Sequence, residues 1–209
     1  MDKHLILVAK SPFGTDVKSR LAKDIGQAPA KGVYARLLYH TIFTLLVNPP
    51  SDVHITLSMA SAEGKAFFVE AFPELQVTHQ CQGNIGKRIG DAIQKSFTNG
   101  AKQTVLISTD QPGIPWGIIN IAFQQINQET IVLGPSKDGG FYLVGMAAPG
   151  ADIFHSISWS TEKVLTQTLK NIHDLGLNSE LLKTMQDIDR GEDWESWKQV
   201  HTNNKPDKD

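Results

Sequence analysis

Leu5-Ile-Leu-Val-Ala-Lys-Ser-Pro-Phe-Gly-Thr-Asp-Val-Lys-Ser-Arg20 is the stretch whose reading decides the fold. Leu5 to Ala9 is a continuous apolar run, too short for a helix and without polar alternation, which is the pattern of a strand buried on both faces. Lys10-Ser-Pro12 ends it in a loop, and Lys18 and Arg20 stand at the start of a helix. The same alternation continues outward along the chain. Strands are predicted at Val53–Leu57, Leu75–Thr78, Thr104–Ser108, Ile131–Leu133 and Phe141–Met146, with a short one near Leu181. Helical stripes fall at Ala30–Val47, stopped by Asn48-Pro49-Pro50, then at Ala62–Phe72 and Ile85–Phe97, stopped by Asn99-Gly100. Further helices are predicted from Trp116 to Asn127, from Ser160 as N-cap to Leu175, and from Trp194 to Val200. Strands alternating with helices predict a single-domain three-layer αβα sandwich around a mostly parallel, mixed sheet.

Composition narrows the function class. The chain has 209 residues, with 20 Lys+Arg against 22 Asp+Glu and a formal net charge of −2. That length suits one domain, expected over residues 1–201, followed by a polar tail over 202–209 that is expected to be disordered. The near balance of charge argues against a nucleic-acid polymer as partner. A lone Cys81 excludes a disulfide framework and a cysteine-cage metal site. The apolar run at the N-terminus is too short for a signal peptide, and no stretch reaches the ~20 apolar residues of a membrane span. A cytoplasmic location is the expectation, and the oligomeric state is left open. The charges are unevenly distributed: residues 1–36 carry net +4 and residues 180–209 net −3. The two ends could meet at one site, or form two solvated faces.

In an open parallel sheet, ligands bind outside the carboxyl ends of the strands. Four segments at such ends carry chemistry. The loop from Lys10 to Arg20 offers Gly14 for backbone freedom and Lys18 and Arg20 as cations, a set suited to phosphate. Asp110 directly follows a buried strand, where a carboxylate either caps a helix or binds a hard cation such as Mg²⁺ or Mn²⁺. Asp138-Gly139-Gly140 brings a carboxylate and a close-approach backbone to one loop, or else forms a hairpin turn. Asp187-Ile-Asp189 is either a fourth functional segment or a solvated acidic turn. The P-loop, G-x-G-x-x-G, G-x-S-x-G and H-E-x-x-H patterns are absent.

Taken in order, six stretches resemble one family. They are Ala9-Lys-Ser-Pro with Val17-Lys-Ser-Arg-Leu21, Gln82-Gly-Asn-Ile-Gly-Lys-Arg88, Ser108-Thr-Asp-Gln-Pro112, Leu133 to Gly145, Ser158-Trp-Ser-Thr161 and Asp187-Ile-Asp189. The family is that of the glycosyltransferase-like radical-SAM/selenodomain-associated transferases. The resemblance implies a GT-A, nucleotide-diphospho-sugar transferase-like fold. It implies Lys10, Gly14, Lys18, Arg20 and Arg88 as nucleotide and phosphate contacts, and Asp110 with Asp189 as metal ligands. Asp138, Gly139, Gly140, Trp159 and Ser160 would border the sugar or acceptor; for the mechanism expected below, Asp138 is the candidate catalytic carboxylate that orients or deprotonates the acceptor hydroxyl. Where the family usually has Pro-Gly and then a basic residue, this chain has Gly14-Thr15-Asp16. An added anion there opposes diphosphate binding.

The expected function is therefore metal-dependent transfer from a nucleotide-diphosphate-sugar donor, with Mg²⁺ or Mn²⁺ as cofactor and a nucleotide sugar or nucleotide as substrate. The alternatives are a nucleotidyltransferase acting on a phosphate-bearing small molecule, and a non-catalytic nucleotide-binding module of the same fold.

Overall fold

Seven strands and seven helices alternate through residues 2–14, 17–111, 113–148 and 152–202, which a computed structural model describes, with side chains as far as Gln199. The strands are β1 (Lys3–Ala9), β2 (Val53–Met59), β3 (Gln76–His79), β4 (Gln103–Ser108), β5 (Thr130–Pro135), β6 (Phe141–Met146) and β7 (Asn178–Leu181). The helices are α1 (Ser19–Ile25), α2 (Gln27–Leu46), α3 (Ala62–Ala71), α4 (Ile85–Thr98), α5 (Trp116–Gln125), α6 (Val164–Asp174) and α7 (Gly191–Thr202). Thr15, Asp16 and residues 203–209, on which the departing loop sequence and most of the polar tail fall, lie outside the described residues.

The sheet order is β3-β2-β1-β4-β6-β5-β7. Every pairing is parallel except those of β6, which runs against both β4 and β5. Alternate residues of the central strands enter different cores. Leu5, Leu7 and Val105 pack with Leu38, Ile42, Phe68 and Ile119 of α2, α3 and α5. Ile6 and Leu106 pack with Ile89, Ile93 and Ile172 of α4 and α6 on the other face. This gives the three layers that the sequence predicts. A third cluster joins Leu21, Val33 and Leu37 to Ile188, with Trp194 and Trp197 of α7 against it.

One buried residue of β1 is polar. His4 shares hydrogen bonds with Ser96 Oγ at 2.7 Å and Thr56 Oγ1 at 2.8 Å, and Ser96 meets Thr104 at 2.6 Å. Burial, with His54 nearby, pushes the imidazole down to about 4.

Helix boundaries differ from the sequence expectation at specific places. Ser160 does not cap a helix: it sits at φ 65, and α6 starts at Val164 with Lys163 in the cap position. Helix α7 starts earlier than Trp194, because the Asp193 carboxylate accepts from the Asp189 and Arg190 N–H groups and fixes the first turn. Among the described residues, no helix is long and apolar enough to cross a membrane.

Candidate active site

The topology reverses at β1: β2 and β3 lie on one side of it and β4 on the other. Such a switch point leaves a crevice at the carboxyl ends of the two strands. Because β6 is antiparallel, the loop joining β5 to β6 also reaches this edge. The segment after β7 follows, held by hydrogen bonds from Leu182 N–H to Leu133 O, Met185 N–H to Pro135 O and Lys137 N–H to Met185 O. The result is a cleft of about 420 Å³, within the usual range for a small-molecule site.

Four carboxylates and four cations line it: Asp110, Asp138, Asp187 and Asp189 with Lys10, Lys18, Arg20 and Arg88. Lys18 is the most enclosed, its side chain 2% exposed. Its Nζ lies 2.7 Å from Asp110 Oδ1 and 3.3 Å from Asp189 Oδ1, while Arg20 Nη1 lies 3.2 Å from Asp189 Oδ2. Burial on its own would lower the pKa of this amine, but Asp110 and Asp189 outweigh it and raise the pKa above the ordinary value.

Asp138, Asp187 and Asp189 each bring a carboxylate oxygen within 4.8 Å of the others. Asp187 is held by the Gln111 side-chain amide, which also approaches Ser136 Oγ at 3.5 Å. Burial, then the like charges of Asp138 and Asp110, push the Asp187 carboxyl up to about 7. Asp138 is exposed, and its Oδ1 accepts the Gly140 N–H at 3.0 Å. Tyr34 secures the first loop: its hydroxyl accepts from Lys10 N–H at 2.8 Å and donates to Lys10 O at 3.2 Å.

Most of the residues expected from the sequence meet here. Lys10, Lys18, Arg20, Arg88, Asp110, Asp138, Gly140, Trp159, Ser160 and Asp189 all line the cleft. Gly14 and Gly139 do not. Gly14 N–H closes a turn on Ser11 O, and Gly139 serves packing instead: at φ 88, a Cβ there would lie 2.3 Å from Glu162 O. Trp159 enters the wall because Gly86 has no side chain; a Cβ at Gly86 would lie 2.7 Å from the indole. The α4 N-terminus beside it is capped by Asn84 Oδ1, which accepts from Lys87 N–H, and Arg88 Nε donates to Gly83 O at 2.9 Å. Lys18, expected as a phosphate contact, and Asp110, expected as a metal ligand, are paired with each other.

The sequence reading assigns no individual role to Asp187 or Gln111, although both fall in its candidate segments, and does not single out Tyr34. For Asp187 a signal exists in the pattern Asp-Ile-Asp: Ile188 is 2% exposed in the third core cluster, and period-two alternation turns both flanking carboxylates the other way. Gln111 and Tyr34 carry no local signal, since their partners lie 76 and 24 residues away.

Comparison with known proteins agrees with this architecture. A protein from Desulfovibrio desulfuricans G20, provisionally named a nucleotide-diphospho-sugar transferase, shares 25% identity at a TM-score of 0.84, over 98% of this chain and 90% of that one. A nucleotidyl transferase from Methanothermobacter is similar in fold at 11% identity and TM-score 0.63, over 98% and 99% of the two chains. The inositol-1-phosphate CTP transferase from T. maritima is similar at 16% identity and TM-score 0.52, over 92% and 91%. No curated protein sequence matches. The fold is thus that of the nucleotide-diphospho-sugar transferases. The profile of DUF2064, described as an uncharacterized protein conserved in bacteria, matches residues 42–161, and the chain belongs to that family.

Proposed function

We propose that the chain transfers a glycosyl group from a nucleotide-diphosphate-sugar donor with the help of Mg²⁺ or Mn²⁺. The observation that carries this reading is the meeting of Asp138, Asp187 and Asp189 with Lys18, Arg20 and Arg88 in one cleft at the switch point. The name of the 25%-identical Desulfovibrio protein supports the same donor class. The donor set suits a hard cation, because it offers carboxylate oxygens and no sulfur or imidazole.

Asp187 and Asp189 hold the cation in this reading. When bound there, a cation would supply charge neutralisation for the departing diphosphate. Arg20, from the start of α1, and Arg88, from α4, share that charge by donating to phosphate oxygens. Asp138 has one oxygen fixed by the Gly140 N–H and lies at the exposed side of the cleft. From there it orients the acceptor hydroxyl or takes its proton. Trp159 and Gly140 border the sugar or acceptor. The cytoplasmic location expected from the sequence belongs to the same reading.

Nucleotidyl transfer is the second reading, drawn from the names of the Methanothermobacter and T. maritima neighbours. It uses the same cleft but releases pyrophosphate from a nucleoside triphosphate. Incubation with Mn²⁺, a panel of nucleotide sugars and a panel of triphosphates separates the two. The expected outcome is release of a nucleoside diphosphate from one nucleotide sugar. Pyrophosphate from a triphosphate plus a sugar phosphate would favour the second reading. Turnover of neither panel, with no shift in Tm on adding nucleotide, would sink both.

A further inference from the structure

The charges around Lys18 lead beyond a static list of ligands. Its ammonium engages Asp110 Oδ1 and Asp189 Oδ1, and Arg20 engages Asp189 Oδ2. Both oxygens of Asp189 are therefore taken by cations of the protein itself. Asp138 and Asp187 have no Lys or Arg bridge among the described residues, and each has a carboxylate oxygen within 4.8 Å of one on Asp189. The three carboxylates Asp138, Asp187 and Asp189 together suit one divalent cation. Such a cation needs an Asp189 oxygen, and Lys18 is the buried competitor for it. The Lys18 backbone at φ 49, ψ 47 is a conformation that residues with a side chain rarely adopt, and it delivers the ammonium to this position.

We propose that Lys18 is an exchangeable counter-ion: it holds Asp110 and Asp189 together in the free protein, yields Asp189 to a divalent cation, and moves to the diphosphate oxygens of the incoming nucleotide. This rests on the cation and diphosphate reading given above. It makes the two ligands mutually dependent. The cation alone must displace a buried ammonium from Asp189 and leave it with Asp110 as its one carboxylate partner. The diphosphate alone finds that ammonium already engaged. Bound together, each removes the other's cost, and this coupling is reciprocal by linkage.

Trace acetylation of the full-length protein, read by mass spectrometry at Lys18, tests the exchange without altering the chain. The probes are Mn²⁺ alone and Mn²⁺ with inorganic pyrophosphate, and direct Mn²⁺ binding is followed in parallel by electron paramagnetic resonance. Lys18 is expected to label slowly in free protein, about tenfold faster with Mn²⁺, and slowly again when pyrophosphate is added, within the usual range of coupling factors. Mn²⁺ binding with unchanged Lys18 labelling overturns the exchange and leaves the proposed function standing. Absence of Mn²⁺ binding even with pyrophosphate present overturns both. In a second arm, Lys18→Met is expected to tighten Mn²⁺ binding about tenfold, and Arg20→Met, an exposed charge on the same carboxylate, by no more than about threefold. Equal effects would mean simple charge removal and would overturn the proposal; if Lys18→Met does not fold, the labelling of the wild-type chain decides.

Discussion

His4 shows how one side chain can set a pH limit on the molecule. Its ring is neutral in the folded state because burial disfavours the charge and His54 nearby adds to the effect, while its two nitrogens meet the Ser96 and Thr56 hydroxyls. In the unfolded chain it titrates near its ordinary value of about 6.5. Stability from this residue is therefore intact above about pH 6.5 and drains away as the pH falls toward about 4, where the folded protein also takes up the proton. The loss amounts to at most about 3 kcal/mol. Thermal melts across this range are expected to show the Tm gap between wild type and His4→Gln shrinking as the pH drops. A gap independent of pH would mean that His4 is not held neutral. The sequence places His4 at the start of a strand but says nothing of this network, because Thr56, Ser96 and Thr104 arrive from three other elements.

At the level of elements, the segment after β7 shows most clearly what could and could not be read in advance. Asp-Ile-Asp is the alternation of a chain with one face in the core, and Ile188 does enter the cluster of Leu21, Val33 and Leu37. The segment's address is not local information. It depends on bonds to β5 and on Gln111, some 76 residues earlier. Truncation of this anchor tests the link between core and cleft. Ile188→Ala is expected to cost about 2–4 kcal/mol, the usual range for emptying a large aliphatic site. It should also weaken Mn²⁺ binding measured by calorimetry, because Asp187 and Asp189 both hang from Ile188. A stability loss with unaltered Mn²⁺ binding would separate the core from the cleft. The opposite case is the strand set. β1 and β4 are legible because their apolar runs are continuous, and the structure extends them only by a residue or two. Ser160 misled the reading of α6, since a residue type that favours caps carries no statement of its φ.

On the scale of the whole molecule, the sheet order explains why a basic N-terminal stretch and an acidic C-terminal one come together. β1 is central and β7 is an edge strand, yet the loop after each opens on the same side. The contact of Lys18 with Asp189 spans 171 residues, and pairings of that length are invisible to spacing rules. The position of β7 has a further outcome. All four of its residues are exposed, and among the described residues it pairs only with β5. A strand with one partner and little burial opens in local fluctuations that leave the central strands closed. The arm bearing Asp187 and Asp189 hangs from that strand, so on warming it should detach while β1, β2 and β4 remain paired. Hydrogen exchange is expected to deuterate residues 178–190 well before 3–9, 53–59 and 103–108, with Mn²⁺ slowing the former selectively. Uniform exchange would make the arm part of the global cooperative unit. With the expected order of exchange, a cation held by the arm would be lost before the fold, and heat inactivation would set in below the melting temperature.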